Sequence, residues 1–194
     1  MARCWWADVD DLLRIDHDTE WGRPVADDTR LFETVMLESF QSGLSWLTVL
    51  RKRANFRAAF RGFEPAAVAR FTSRDVTRLL SDASIIRNRA KIEATINNAR
   101  RMPELIDSFG SFGAYVWRYE PKRRPRPTSE SDLRSQSPES VAMSKDLIKR
   151  GWAFVGPTTI YSFMQAIGLV NDHVRGCAAG AEVERVRRDF VRPR

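Results

Sequence analysis

The chain has 194 residues, of which 43% are hydrophobic and six are Trp, so it can bury the core of one domain and is too apolar to be disordered. No apolar run approaches the ~20 residues of a membrane span. It shows no signal-peptide core, and its two cysteines cannot build a disulfide framework, so we expect a cytoplasmic protein without membrane contact. The net charge of +7 favours an anionic partner, most commonly a nucleic acid. The excess positive charge is clustered at residues 51–53, 87–91, 122–126 and 185–188.

Apolar periodicity, capping residues and glycine stops predict an all-α chain with scarcely any strand signal. The predicted helices cover residues 28–41, 45–60, 65–71, 73–81, 88–101, 139–150 and 157–168. Ser45 is the expected N-cap of the second helix, and Thr72 with Asp75 resembles a capping pair for the fourth. Pro103 and the S-F-G-S-F-G run that follows it are expected to end the fifth helix, and residues 121–138 to form a loop.

The only cysteines and histidines of the chain are Cys4 and His17 near one end and His173 and Cys177 near the other. His173 and Cys177 are four residues apart, a spacing that places both side chains on one side of a helix or tight turn. A Cys₂His₂ set satisfies Zn²⁺ in a closed tetrahedral site, which would join the two ends of a single domain. The spacing equally permits two buried cysteines and two unrelated histidines.

Residues 79–92 are predicted to form a helix, a short turn and a second helix. Ile85 lies in the turn, and Arg87, Arg89 and Lys91 follow it at the start of the second helix. Unpaired backbone N–H groups and the helix dipole at such an N-terminus can hold a phosphate, as in a helix–hairpin–helix DNA-binding unit. Ser84 stands where glycine would be expected for a positive φ. An ordinary helix pair with a solvated basic face remains the alternative.

Glu38 is predicted to lie in the middle of a helix among apolar residues. A carboxylate in such a place either pairs with another side chain or has a functional role. Four tryptophans, Trp5, Trp6, Trp21 and Trp46, lie in the first quarter of the chain. A hydrophobic core explains most tryptophans, and a buried salt bridge explains most such glutamates. A pocket for a flipped base would explain both together.

Several motifs, in order along residues 1 to about 180, resemble the 3-methyladenine DNA glycosylase I family of constitutive bacterial enzymes. They read R-C-W-W, H-D-T-E-W-G-R-P, L-F-E, L-E-S-F-Q-S-G-L-S-W-L-T-V-L-R-K-R, I-I-R-N-R-A-K-I and F-V-G-P-T-T-I-Y-S-F-M-Q-A-I-G-L-V-N-D-H-V-R-G-C. The resemblance implies an all-α helix–hairpin–helix glycosylase domain over residues 1–180, with two helical lobes around a base pocket. Residues 181–194 form a basic tail outside it.

The resemblance also implies roles for individual residues. A structural zinc ion is expected on Cys4, His17, His173 and Cys177. Glu38 corresponds to the acid of the base pocket, Trp46 to its stacking ring, and Trp6 and Trp21 to neighbouring aromatics. Gly43 and Leu44 correspond to a loop presented to the DNA at the lesion, and residues 79–92 to the hairpin. The expected partner is double-stranded DNA with alkylated bases, bound by a monomer. No Lys is placed to form a Schiff base, so we expect hydrolysis of the N-glycosidic bond without strand cleavage.

Three residues depart from the family pattern. Asp16 stands where the family usually has a pocket Tyr, and would add a second carboxylate near Glu38. Phe40 stands where Gln is common, and Ser84 replaces the hairpin glycine. Asp16 and Ser84 leave open a DNA- or lesion-binding homologue with weak or altered excision, and a third reading is an enzyme for bulkier alkyl purines.

Overall fold

In a computed structural model, which describes residues 2–122 and 124–194, the chain folds into α-helices and three short 3₁₀ turns, with no strand among the described residues. The helices are α1 (Asp11–Thr19), α2 (Asp28–Gln41), α3 (Trp46–Leu50), α4 (Arg53–Ala59), α5 (Pro65–Ala69), α6 (Ser73–Ser81), α7 (Arg89–Phe109), α8 (Phe112–Trp117), α9 (Pro138–Lys149), α10 (Pro157–Ala166) and α11 (Ala178–Asp189). The 3₁₀ turns are Trp5–Val9, Arg61–Phe63 and Glu130–Asp132. The all-α prediction is confirmed. In the described part of the chain, every helix is too short or too polar to cross a bilayer.

The predicted caps form where the sequence places them. Ser45 accepts a hydrogen bond from the backbone N–H of Thr48 and begins α3. Thr72 and Asp75 form the reciprocal capping box of α6. Pro157 occupies the first turn of α10, where its missing N–H costs nothing. These helix starts depend on a few adjacent residues, which is why sequence alone locates them.

Two predicted helix ends are wrong. The helix expected over 45–60 is two helices, α3 and α4, because the chain turns at Lys52, where φ is −104° and ψ is 0°. The helix expected to stop before Pro103 continues to Phe109 and ends at Gly110, whose φ is +84°. Met102 and Leu105 extend its buried face across the proline, so packing outweighs the one backbone hydrogen bond that Pro cannot donate.

Three helices lie outside the predicted set: α1, α8 and α11. Helix α8 is short and entirely buried, and Ser111 caps it by accepting from the N–H of Ala114. Helix α11 begins before residue 181 and continues into the segment expected to be a basic tail. Val183 is buried there, and Arg187 pairs with Glu120 at 3.1 Å. This segment is therefore an attached helix along most of its length.

Helix α2 is the central element, packed against α3, α7, α8 and α10. Phe40 on α2 is fully buried, with its ring 4.6 Å from that of Phe56. This phenylalanine therefore belongs to the aromatic core. Glu38, two residues earlier, lies on a different face of the same helix. Because Phe40 and its neighbours anchor α2 in the core, the backbone that carries Glu38 is held in place.

Candidate functional site

Glu38 lies in a pocket of about 190 Å³ that three tryptophans help to line. The lining residues are Trp6, Trp21, Glu38, Gln41, Trp46, Leu133, Ser162 and Gln165. The rings of Trp6 and Trp21 meet edge to face with centroids 5.1 Å apart. Indole walls present flat apolar faces, which suit a planar ligand. The pocket thus brings together Glu38, Trp6, Trp21 and Trp46.

The Glu38 carboxyl is buried without compensation. Its side chain is 6% exposed, and Oε2 has no hydrogen-bond partner among the described residues. Burial, and secondarily the charge of Asp16, raises the pKa of Glu38 to about 8. A buried carboxyl without a partner is rare in proteins and marks a place where a ligand supplies one. A cation or hydrogen-bond donor entering the pocket would meet this group first.

Asp16 does not line this pocket. It lies on α1 and accepts a hydrogen bond at Oδ2 from the indole N–H of Trp46, at 2.9 Å. Its Oδ1 is 3.5 Å from Nη1 of Arg53, which also forms two hydrogen bonds with Glu20. Trp21 and Trp46 line both the Glu38 pocket and a smaller cavity of about 50 Å³ that contains Asp16. The expected second pocket carboxylate therefore lies behind the wall of the pocket.

Four lining residues lie outside the predicted set, namely Gln41, Leu133, Ser162 and Gln165, and among them Gln165 and Leu133 come from distant parts of the chain. Gln165 on α10 donates its amide N–H to Oδ2 of Asp172 at 2.8 Å, so this bond fixes the orientation of the amide. Leu133 belongs to the segment predicted as a loop, which reaches the pocket mouth. No local pattern marks either residue, because each enters the pocket only through tertiary packing.

The four cysteine and histidine side chains form one buried cluster. The potential ligand atoms of Cys4, His17, His173 and Cys177 all lie within 4.8 Å of one another. His17 Nε2 is 3.1 Å from His173 Nδ1 and 3.5 Å from Cys177 Sγ, and Cys177 Sγ is 3.6 Å from His173 Nδ1. The cluster joins the N-terminal turn to the start of α11, as the end-to-end clip predicts.

The hydrogen bonds around this cluster fix the tautomer of His173. Nδ1 of His17 lies 2.7 Å from the carboxylate of Asp18, and Nε2 of His173 lies 3.2 Å from the carbonyl oxygen of Trp21. The carbonyl oxygen of Trp21 can only accept, so Nε2 of His173 carries the proton and Nδ1 of His173 presents a lone pair to the cluster, 3.1 Å from Nε2 of His17. Burial lowers the pKa of His173 to about 3, which keeps it neutral. That lone pair is available to a metal ion.

The predicted hairpin lies between α6 and α7, and its backbone is shaped by polar contacts. Asp82 accepts from both the N–H and the hydroxyl of Ser84. Lys52 donates to the carbonyl oxygen of Ser84 at 3.0 Å. Ser84 does not have a positive φ, so no glycine is needed there. Arg87 and Arg89 are exposed.

Two residues predicted to contact DNA have their side chains inside the protein. Ile85 is 3% exposed and belongs to the main hydrophobic core. The Lys91 ammonium donates to the carbonyl oxygens of Phe40 at 2.9 Å and Ser42 at 2.6 Å. Lys91 therefore caps the C-terminal end of α2 and ties the hairpin to the loop of Gly43 and Leu44. Both loop residues are exposed, and Gly43 has a φ of +82°.

Many residues of the basic clusters are engaged in internal contacts. Arg51 pairs with Asp10 at 2.7 Å, and Arg124 pairs with the buried Asp172 at 3.0 Å. Arg126 donates to the carbonyl oxygens of His173, Val174 and Cys177, which supports the segment that carries two residues of the cysteine and histidine cluster. Arg123, in the same cluster, lies outside the described residues.

Known proteins are similar to this chain in sequence and in the arrangement of their helices. The sequence model of the methyladenine glycosylase family matches residues 5–180. DNA-3-methyladenine glycosylase 1 of Escherichia coli (strain K12) is 48% identical over 179 residues, covering 91% of this chain and 96% of the relative. A crystal structure of 3-methyladenine DNA glycosylase I matches with a TM-score of 0.87 at 45% identity, covering 91% of this chain and 98% of that one. A Tyr-to-Phe variant of 3-methyladenine DNA glycosylase I in complex with 3-methyladenine matches with a TM-score of 0.88 at 35% identity, covering 93% and 98%.

Proposed function

Because the chain belongs to the methyladenine glycosylase family, we propose that it is a base-excision repair enzyme that hydrolyses the N-glycosidic bond of N3-methyladenine in DNA. The observation that carries this proposal is the unpaired, buried Glu38 in a pocket walled by three tryptophans. The pocket takes an alkylated purine that has been flipped out of the duplex. Since the substrate is chromosomal DNA, we place the enzyme in the cytoplasm, acting as a monomer through a domain of residues 1–180.

The chemistry follows from the charge of the substrate. A purine methylated at N3 is cationic in DNA, so its glycosidic bond is already weakened and little acid catalysis is needed. The carboxylate of Glu38 stabilises the cationic base electrostatically in a site of low dielectric and accepts hydrogen bonds from the adenine edge. Trp46 stacks on the base, with Trp6 and Trp21 beside it, and the aromatic walls favour a flat cation over a neutral base. Water completes the hydrolysis.

We propose a monofunctional reaction without strand cleavage. The described residues that line the pocket include no lysine, and the Lys91 ammonium is held by two backbone carbonyls. A Schiff base needs a free amine beside the sugar. Borohydride treatment during turnover should therefore trap no covalent protein–DNA adduct, and a trapped adduct would contradict this part of the proposal.

For DNA binding we propose a helix–hairpin–helix unit made of α6, the turn at residues 82–88 and α7. Its phosphate contacts come from Arg87 and Arg89, which are exposed beside the turn, and from backbone N–H groups of the turn other than that of Ser84, which donates to Asp82. The exposed Leu44 enters the space left by the flipped nucleotide. Ile85 and Lys91 hold these two surfaces in place from inside.

For the cysteine and histidine cluster we propose a structural Zn²⁺. Tetrahedral zinc with Zn–N near 2.05 Å and Zn–S near 2.3 Å puts two nitrogens about 3.3 Å apart and a nitrogen and a sulfur about 3.6 Å apart. The separations here are 3.1 Å for His17 and His173, 3.5 and 3.6 Å from those histidines to Cys177, and 3.9 Å from Cys4 Sγ to His173 Nδ1. The donor set therefore fits zinc. Metal analysis of the purified protein should give one equivalent, and less than about half would count against the site.

The enzyme is tested by release of 3-methyladenine from methylated DNA, with Glu38→Ala as the matched control. Release well above that control is expected, and no difference between the two proteins would contradict the proposal. Asp16 and Ser84 depart from the family pattern and are the reason to consider a DNA-binding homologue with weak excision. Ser84 lacks the backbone conformation that would require glycine, and Asp16 lies outside the Glu38 pocket. Neither residue therefore disrupts the pocket or the hairpin.

A further inference from the structure

We propose that Asp16 is a positioning residue, which fixes the stacking ring of Trp46 from behind through its indole N–H and is itself held by Arg53. This inference rests on the proposed function, because it explains how the pocket keeps its base-binding wall in place. It assigns Asp16 no contact with the base and no part in the chemical step.

The contact that carries the proposal joins two helices. Asp16 is the sixth residue of α1 and Trp46 the first residue of α3. The indole has a single N–H, and it is donated to Oδ2 of Asp16 at 2.9 Å. Asp16 is 4% exposed, so water does not compete for this bond. A hydrogen bond to a carboxylate that is shielded from water is among the stronger ones in proteins.

Both oxygens of Asp16 are engaged, which separates a positioning role from a catalytic one. Oδ2 accepts from Trp46, and Oδ1 faces the Arg53 guanidinium at 3.5 Å. Arg53 is oriented by two hydrogen bonds to Glu20, at 2.9 and 2.6 Å. The carboxylate is thus compensated and immobile, and offers no free oxygen to activate water.

Trp46 needs such support because of where it lies. It follows residues 42–45, which are exposed, and begins a helix of only five residues. The ring itself is half-buried and lines the cavity on one side and the Asp16 compartment on the other. Without the carboxylate the ring would lose its polar anchor and would have to be ordered by the base on binding. Fixing it in advance removes that cost from each binding event.

The test is a double-mutant cycle on kcat/KM for release of 3-methyladenine, using Asp16→Ala in the wild-type and Trp46→Phe backgrounds. The loss of a charge-assisted hydrogen bond should lower kcat/KM about tenfold in the first background. In Trp46→Phe, which has a ring but no N–H, the same change should cost less than twofold. Asp16→Asn retains an acceptor oxygen and should recover most of the activity. Asp11→Asn, at an exposed site on the same helix, is the matched control. Equal losses in both backgrounds would overturn the proposal.

A second measurement does not depend on activity. In protein labelled with ¹⁵N-Trp, the Trp46 indole signal is the one lost in Trp46→Phe. It should resist hydrogen exchange in the wild type, move in Asp16→Asn, and exchange rapidly in Asp16→Ala. An unchanged Trp46 signal in Asp16→Ala would refute the contact, even if the variant is active. If the wild-type protein releases no 3-methyladenine, the proposed function fails, while this spectrum still decides the role of Asp16.

Discussion

Replacing Glu38 with Gln should stabilise the fold, by an amount that grows with pH. Burial raises the pKa of Glu38 from its ordinary 4.5 to about 8. The folded state therefore binds this proton more tightly than the unfolded state does, and stability is lost as pH rises from 4.5 through about 8. At about 1.4 kcal/mol per pH unit, the loss is about 3 kcal/mol at pH 7 and about 5 kcal/mol above pH 8. Gln resembles the protonated acid at every pH and avoids this cost.

The assay is urea unfolding of the wild type and Glu38→Gln at a series of pH values from 5 to 9. Near pH 5 the two unfolding free energies should differ by less than about 1 kcal/mol, because the native Glu38 is then protonated. The difference should rise through neutrality and level off above pH 8. Glu93→Gln is the matched control, because Glu93 is exposed and pairs only with its helix neighbour Arg89. A difference that does not change with pH would show that burial does not raise the pKa of Glu38.

The same substitution should abolish base release. Gln keeps the shape of Glu38 but cannot carry the negative charge that favours the cationic base. A variant that is more stable and inactive is the signature of a group retained for function at a cost in stability. Full activity in Glu38→Gln would separate the buried charge from catalysis.

Four further outcomes test other parts of the structure. The kcat/KM of the wild type should rise between about pH 6 and 8, because ionised Glu38, with its pKa raised to about 8, is the competent form; a flat profile would contradict this. Cys4→Ala should lose the metal and destabilise the fold by roughly 2 kcal/mol or more while sparing single-turnover chemistry at low temperature, and a normal melting temperature without activity would oppose that view. Arg87→Ala should weaken DNA binding and reduce the slope of log affinity against log salt by about one, as measured by fluorescence anisotropy, whereas an unchanged slope would remove Arg87 from the phosphate contacts. Lys91→Met should weaken binding without changing that slope and should cost about 2 kcal/mol of stability, because two carbonyls lose their partner.

The sequence predicts those parts of the fold that depend on neighbouring residues. The caps at Ser45 and Thr72 each act within one turn of helix, and both form as expected. The passage of α7 through Pro103 could not be predicted in the same way. Its buried face at Met102 and Leu105 is defined by other helices, and a local rule weighs only the missing hydrogen bond.

Charge clustering predicts a partner class better than it predicts contacts. The cluster at residues 51–53 favours an anionic partner, yet Lys52 donates to carbonyl oxygens of the hairpin and Arg53 pairs with Asp16 and Glu20. The sequence counts positive charges but does not say which of them meet an acid or a carbonyl after folding. Exposed and weakly paired arginines, such as Arg87, are the better candidates for phosphate contacts.

Asp16 shows why adjacency in a family pattern does not fix a role. Its position predicts a carboxylate inside the pocket, and its neighbour His17 does lie in the cysteine and histidine cluster. The direction of its side chain depends on how α1 packs against α3, which brings it to the indole nitrogen of Trp46. Asp16, which is shorter than the Tyr usual in the family, reaches the edge of the Trp46 ring and leaves the face of that ring toward the Glu38 pocket free.

We expect the pocket to select a cation because of how the surrounding acids are paired. Asp16 and Glu20 share Arg53, Asp172 pairs with Arg124, and Glu33 pairs with Arg57 at 2.7 Å. Among the described acidic residues around the pocket, Glu38 is therefore the one that no arginine pairs with, so its ionised form is stabilised only when a cation enters. A neutral adenine would leave that group unsatisfied, while a methylated, cationic base supplies the missing partner at the moment of binding. Discrimination between damaged and normal purines then needs no separate recognition of the methyl group, because the uncompensated carboxylate already favours the charged base.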